Sequence, residues 1–303
     1  MVGLDTVRLR VPTDGHTQAA WDLAPTRRGE GFFLPGGGEV YLADGKAFIE
    51  VSVARREYGD NVVPLSVADL PLVLADLLYE VDTYFPVRLD DVELADVLRL
   101  DVVVNFSEVQ MIPALLDGLA GVPRDRRLRV TREADGRGQT NMLIVRTKRA
   151  WSASLYDKYL ESNLASATRI LRYECRLRQD RLRQAWATRH GGKIGVVADI
   201  TEAKLESLAH ATFCEVGFDM AVVAPMAAVA EVMNMEISAT KKATLLGKMM
   251  AEASGFQLEF NDSTERQYRK LERELGVKLT LPDTPTDTMR LDWNGTASQL
   301  LAA

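Results

Sequence analysis

The sequence predicts an α+β fold: an antiparallel sheet with flanking helices, followed by a helical C-terminal region. Three observations predict it. Alternating and β-branched runs recur through the first 190 or so residues, helical periods separate them, and from Thr201 onward the pattern turns helical. The reading divides the chain into 1–194 and 195–303. Within the first part, two successive β-rich stretches suggest related halves at 1–94 and 95–194, although no sequence repeat connects them.

Each element follows from local pattern. Asp5 to Val11 alternates, with Val7, Leu9 and Val11 on one face of a half-buried strand. Gly29 to Gly38, carrying Pro35 and three consecutive glycines, predicts a loop. Val40 to Leu42 and Ala47 to Ala54 predict strands joined through Asp44-Gly45, a hairpin dipeptide. Ser66 is placed to cap a helix whose apolar face is Leu70, Leu72, Val73, Leu77, Leu78 and Val81. Val97 to Phe106 is a β-branched strand, and Ser107 to Leu119 a second capped helix. Beyond Pro123, strands are predicted at 127–131, 141–147, 151–156 and 169–177, with a helix over 157–167. Helices are predicted over 201–213, 222–235, 238–253 and 263–275, the last closed by Gly276, and the final ten residues are expected to fray.

With 303 residues, 47% hydrophobic composition and a net charge of −6, the chain is too apolar and too weakly charged to be disordered over most of its length. Two cysteines cannot build a disulfide framework. The longest apolar run, Met220 to Ala230, is too short to span a bilayer, and the N-terminus lacks a signal layout, so the expected location is cytoplasmic, away from membranes. Charge is unevenly spread. Between Arg124 and Lys193 there are 18 Lys+Arg against 7 Asp+Glu, a net +11, which leaves −17 on the remainder. A basic segment inside an acidic protein points to a local polyanion site.

Two strands carry Arg-x-acid on their polar faces: Arg99 and Asp101 in the first, Arg172, Glu174, Arg176 and Arg178 in the second. If the strands are neighbours, Asp101 and Glu174 could converge on a divalent cation with oxygen ligands, such as Mg2+ or Mn2+. For either motif alone, a salt-bridged acid on a solvated face is the better reading; the pair, with the next feature between them, reverses it. That feature is Tyr156-Asp157-Lys158-Tyr159-Leu160-Glu161, inside the most basic stretch. A tyrosine needs a nearby cation to favour its phenolate, and Lys158 shares a face with Tyr156 if the segment is extended. Glu161, one helical turn beyond Asp157, could be a third carboxylate ligand.

These stretches resemble the phage and plasmid replication initiation proteins of the II/X family and, more distantly, the rolling-circle initiators and relaxases of Gram-positive plasmids. The matching segments are LDTVRLRVP, FIEVSVARREYGDNVVPLSVADL, LRLDVVVNF, GQTNMLIVRTKRAWSASLYDKYLES, LRYECRLRQDRLR and a late STERQYRKLERELGV. The resemblance implies a Rep-type, HUH-like sheet and a metal-dependent single-strand DNA nickase and strand transferase that starts rolling-circle replication. By motif position, Tyr156 matches the nucleophile, assisted by Lys158, and Asp101, Glu161 and Glu174 match acidic positions assigned to metal. The three histidines, His16, His190 and His210, form no His-hydrophobic-His pair, a departure from the HUH pattern. Candidate DNA-binding residues are Arg99, Arg126, Arg127, Arg129, Arg146, Lys148, Arg149, Arg172, Arg176 and Arg178. The implied partners are origin DNA, single-stranded or locally melted, and a host helicase; the oligomeric state is left open. Tyr159 is either a second acceptor tyrosine or a structural one. A conjugative relaxase with the same chemistry, or a non-catalytic origin- or operator-binding regulator, are the alternatives.

Overall fold

The structure, a computed structural model, describes residues 2–12, 24–26, 29–34, 37–44, 46–84, 92–109, 112–122, 124–136, 139–147, 151–183, 194–223, 232–253, 266, 269–270, 277–279, 288–291, 293 and 297–300. Its strands are β1 (Val2–Pro12), β2 (Ala24–Thr26), β3 (Gly29–Phe33), β4 (Glu39–Ala43), β5 (Lys46–Ser52), β6 (Asp96–Phe106), β7 (Arg129–Ala134), β8 (Thr140–Arg146), β9 (Trp151–Asp157), β10 (Leu171–Arg178), β11 (Ala221–Val223), β12 (Val277–Leu279), β13 (Thr288–Leu291) and β14 (Ala297–Leu300). The helices are α1 (Val53–Tyr58), α2 (Leu70–Tyr84), α3 (Ile112–Ala120), α4 (Lys158–Ser162), α5 (Glu202–Glu215) and α6 (Ala239–Ala253). This mixture of helices with antiparallel strand pairs agrees with an α+β fold. Among the described residues no helix is long and apolar enough to cross a membrane.

The chain forms two compact units that interleave along the sequence: residues 1–104, 147–153 and 174–211, and residues 105–146, 154–173 and 212–303. The later boundary, at 211/212, differs from the 194/195 division read from composition.

In the first unit the strand order is β2-β3-β4-β5-β1-β6, continued by parts of β10 and β9. β1 pairs antiparallel with both β5 and β6. Val7, Leu9 and Val11 are buried as the alternation predicts, against Ile49, Val51, Val97 and Leu100 of the same core. One residue breaks the alternation of β6. A register shift between Arg8 and Leu9 makes Leu98 the extra residue of a bulge, so Val97 takes the core position expected for Leu98. Ser66 caps a short 3-10 turn by accepting the Ala68 amide, and α2 follows. Its buried stripe is Leu70, Val73, Leu74, Leu77, Leu78 and Val81. Leu72 is exposed instead of buried, because two residues along a helix turn its side chain to the opposite side from Leu70. The predicted loop at 29–38 begins with β3. There Gly31 passes so close to β4 that a Cβ would stand 1.9 Å from the Val40 carbonyl oxygen.

In the second unit α3 starts at Ile112 rather than at Ser107, since Pro113 is tolerated only in a first turn. The helix expected over 157–167 stops at Ser162, where Asn163 takes a left-handed conformation at φ 57°. Phe106, Tyr173, Phe213, Phe218 and Trp293 form the aromatic core, with Tyr173 and Phe213 edge-to-face at 5.2 Å. Arg124 closes the C-terminal end of α3. Its guanidinium donates to the carbonyls of Leu119 (2.7 Å), Val122 (2.9 Å) and Val216 (2.6 Å), and lies over the Phe218 ring.

The helical C-terminal expectation holds for α5, α6 and residues 232–234 and needs correction at the strands β11 to β14, while 224–231 lies outside the described residues. Residues 221–223 form β11, in a four-stranded sheet ordered β12-β11-β13-β14, and the expected fraying gives way at 297–300 to β14. β-Branched Val222 and Val223 favour a strand, which the apolar run read as helix concealed. Most of the helix predicted over 263–275 lies outside the described residues; 266, 269 and 270 are helical.

Candidate functional site

Three clusters contain the residues selected from sequence. The first lies on the polar face of the first unit. Alternation along β5 buries Ala47, Ile49 and Val51 and turns Glu50 to the other face, where the strand register aligns it with Arg8, itself opposite Arg99. Arg99 donates to Glu50 at 2.7 Å and, through Nε, to Asp101 at 2.7 Å, with a second contact to Asp101 Oδ2. Arg176 reaches Asp101 at 3.3 Å and Glu174 at 3.2 Å, and Arg8 approaches Glu50 at 3.9 Å while stacking over Tyr41 and Phe48. Burial works against the Arg99 charge, but Asp101, then Glu50 and Glu174, outweigh it and hold the guanidinium above its ordinary value.

Asp101 and Glu174 are thus brought together, as the two-strand reading expects, but by arginine. Three guanidiniums (Arg8, Arg99, Arg176) face three carboxylates (Glu50, Asp101, Glu174). Asp101 is only 1% exposed, and both its oxygens already accept from guanidinium groups. Glu161 belongs to the second unit, where it receives the Lys158 ammonium. Among the described residues no three His, Cys, Asp or Glu side chains form a group able to hold a metal ion. In this arrangement the donor set does not fit a divalent cation, because a ligand carboxylate needs free lone pairs and uncompensated charge. The same ion pairs take Arg99 and Arg176 out of the set of free phosphate-binding groups.

The second cluster surrounds Tyr156, at the end of β9. Asp157 caps α4 by accepting the amides of Tyr159 and Leu160. The Lys158 amide donates to the Ile170 carbonyl at 2.9 Å, its side chain is fully buried, and its ammonium stands 5.9 Å from the centre of the Tyr156 ring. The expected adjacency of Tyr156 and Lys158 is present, though Tyr156 is only 4% exposed. Tyr159, three residues on, is 43% exposed. Arg172 corrects the exposed-strand-face reading: it is fully buried and donates to Asn105 Oδ1 at 2.8 Å, so it presents nothing to solvent.

The third cluster is the β7–β8 hairpin and the turn before it. Every residue of β7 is exposed. Arg129 lies directly opposite Arg146, both exposed, and neither has a side-chain hydrogen bond or ion pair among the described residues. Like charges placed opposite one another across an antiparallel pair repel, so this position is suited to an anion. Arg126 is exposed beside it in sequence, whereas Arg127 pairs with Asp125, whose carboxyl it holds down to about 2. Arg178, in the first unit, is exposed at the end of β10. Lys148, Arg149, His16 and His190 lie outside the described residues. His210, on α5, stands apart from all three clusters in sequence.

Sequence reading missed Glu50 and Arg8. The period of two along β5 could have found Glu50, since Phe48, Glu50 and Ser52 share its polar face. The Arg129–Arg146 opposition depends on register, which no local pattern encodes.

No family model and no curated protein matches the chain. Among solved structures, a match is the rolling circle replication initiator protein from Geobacillus stearothermophilus, with 16% identity and a TM-score of 0.33, covering 60% of this chain and 76% of that one.

Proposed function

We propose that this protein binds DNA through the exposed guanidiniums of the β7–β8 hairpin and cleaves one strand through Tyr156, initiating rolling-circle replication. The observation that carries the reading is the Arg129–Arg146 opposition: two exposed arginines directly across the strand pair with no carboxylate partner among the described residues, suited to cradle a backbone phosphate. In the cleavage step the Tyr156 phenol oxygen bonds to phosphorus and the bond from phosphorus to the 3′ oxygen breaks. The phenol proton ends on that oxygen, giving a 5′-phosphotyrosine and a 3′-hydroxyl that primes synthesis. One phosphodiester replaces another, so the same site can rejoin the strand. Because Tyr156 is nearly buried, the turn beyond β9 has to open as DNA binds.

That burial also favours a second reading, in which the chain binds an origin or operator without cutting it. A nicking assay on pooled single-stranded oligonucleotides separates the two, run in magnesium, in manganese and in chelator and read by mass spectrometry. The first reading expects a tyrosyl-phosphate adduct on Tyr156 that Tyr156→Phe abolishes. Salt-sensitive binding with no adduct selects the second reading, and loss of both binding and cleavage refutes DNA as the partner.

A further inference from the structure

We propose that β7 is a self-complementary sheet edge through which two copies of this chain pair. The inference is independent of the cleavage reading. Among the described residues β7 ends the strand order, hydrogen-bonding to β8 on one side only, and all six of its residues are exposed, including Val130 at 39%. Such an edge carries unpaired amides and carbonyls, which commonly are either blunted by like charges or used for pairing.

Its charges decide between those uses. Two copies related by a two-fold axis perpendicular to the sheet pair antiparallel, and side chains directly opposite share a face. Alternation puts Arg129, Thr131 and Glu133 on the outer face, with Val130 and Arg132 on the other. Arg132 is engaged there with Asp117 at 2.6 Å and Thr140 at 2.9 Å. Four registers pair three or more residues of each copy, and centring on Glu133 sets it against the partner's Glu133, a like-charge contact. Centring on Arg132 sets it against the partner's Arg132, a like-charge contact. Centring on Val130 leaves Glu133 beyond the end of the partner strand. Centring on Thr131 sets Arg129 opposite the partner's Glu133 twice, once on each side of the axis, and Thr131 opposite the partner's Thr131.

Arg129 and Glu133 are the residues this register requires to be available. Neither has a side-chain hydrogen bond or ion pair among the described residues. The pairing draws Arg129 to the partner's Glu133, so the paired edge and the Arg129–Arg146 phosphate cradle are alternative uses of the same guanidinium.

A cysteine on the axis provides the test. Directly opposite strand residues stand at disulfide distance, about 4.5–5.5 Å between Cα atoms. Thr131→Cys is introduced in a Cys214→Ser background, because Cys214 is an exposed thiol whereas Cys175 is buried. Under mild oxidation the full chain forms a covalent dimer faster than a control carrying the exposed Ser107→Cys instead. Adding Arg129→Glu or Glu133→Arg slows cross-linking roughly tenfold, and combining the two swaps restores it. Cross-linking no faster than the Ser107→Cys control overturns the proposal, as does a double swap no faster than the single swaps. β7 is exposed throughout, so these changes leave the core untouched.

Discussion

Replacing both Arg129 and Arg146 with glutamine moves DNA affinity and protein stability in opposite directions. Each guanidinium that neutralises a phosphate releases counterions, and on single strands each contact contributes about 0.7 to the slope of log affinity against log salt. Two contacts give a slope about 1.4 smaller in the variant, so between roughly 50 and 200 mM salt the unaltered protein loses about sevenfold more affinity than the variant does. Stability responds with the other sign. The two charges are directly opposite, exposed and without acidic partners among the described residues, so removing them relieves a repulsion on the order of 0.2–0.5 kcal/mol. Fluorescence anisotropy with a labelled oligonucleotide across a salt series reads the first effect, and urea denaturation reads the second. A surface built only for solubility would show neither signature together with weaker binding. An unchanged salt slope in the double variant refutes the hairpin as a phosphate site, and a stability loss above about 1 kcal/mol refutes the repulsion argument.

Two further tests probe the scaffold around the hairpin. Arg124→Met strips three good charge-assisted hydrogen bonds from the carbonyls of Leu119, Val122 and Val216. Burial pushes this guanidinium down to about 10, a desolvation cost that offsets part of the gain, so the net loss is about 2–4 kcal/mol by urea melt. A loss below about 1 kcal/mol would mean that Arg124 does not hold the end of α3. In the adjoining turn, the side-chain hydrogen bond from Arg127 keeps the Asp125 carboxyl at about 2, below its ordinary 3.8. Its folded value lies below the unfolded one, so this contact stabilises the turn above about pH 3.8 and is lost as pH falls through about 2. A carbon-detected NMR titration follows it directly. Arg127→Ala returns Asp125 to the ordinary carboxylate range, and an unchanged titration would assign the effect to some other group.

Elements with strong local period were legible from the residues alone. The buried faces of β1, β10 and α2, and the positions of α5 and α6, follow from spacing that a few residues reveal. Departures come from events that leave no periodic trace. The bulge at Leu98 shifts a face by one residue, Pro113 delays α3, and left-handed Asn163 ends α4 early. At the candidate site, the nearness of Asp101 to Glu174 and of Tyr156 to Lys158 was legible. What each group is paired with was not, because Glu50 and Arg8 join Arg99 only through the registers of β5 and β6 on β1. Arg172 was misread for a related reason. Alternation assigns a side chain to a face but does not say whether that face is covered.

The guanidinium–carboxylate cluster constrains how a cation could act at Asp101 and Glu174. Asp101 is almost fully buried, and removing it from its two guanidiniums would leave a desolvated carboxylate beside freed positive charges. A divalent ion entering at Asp101 and Glu174 would have to displace Arg176, which bridges them and whose side chain is 40% exposed, while Arg99, at 15%, stays in place. The exposed arginine is therefore the movable member and the buried one the fixed member. Moving Arg176 outward would release its contacts with Glu174 and Asp101 Oδ2, but both Asp101 oxygens would stay on Arg99, so displacing the exposed arginine alone does not open a two-carboxylate cation site.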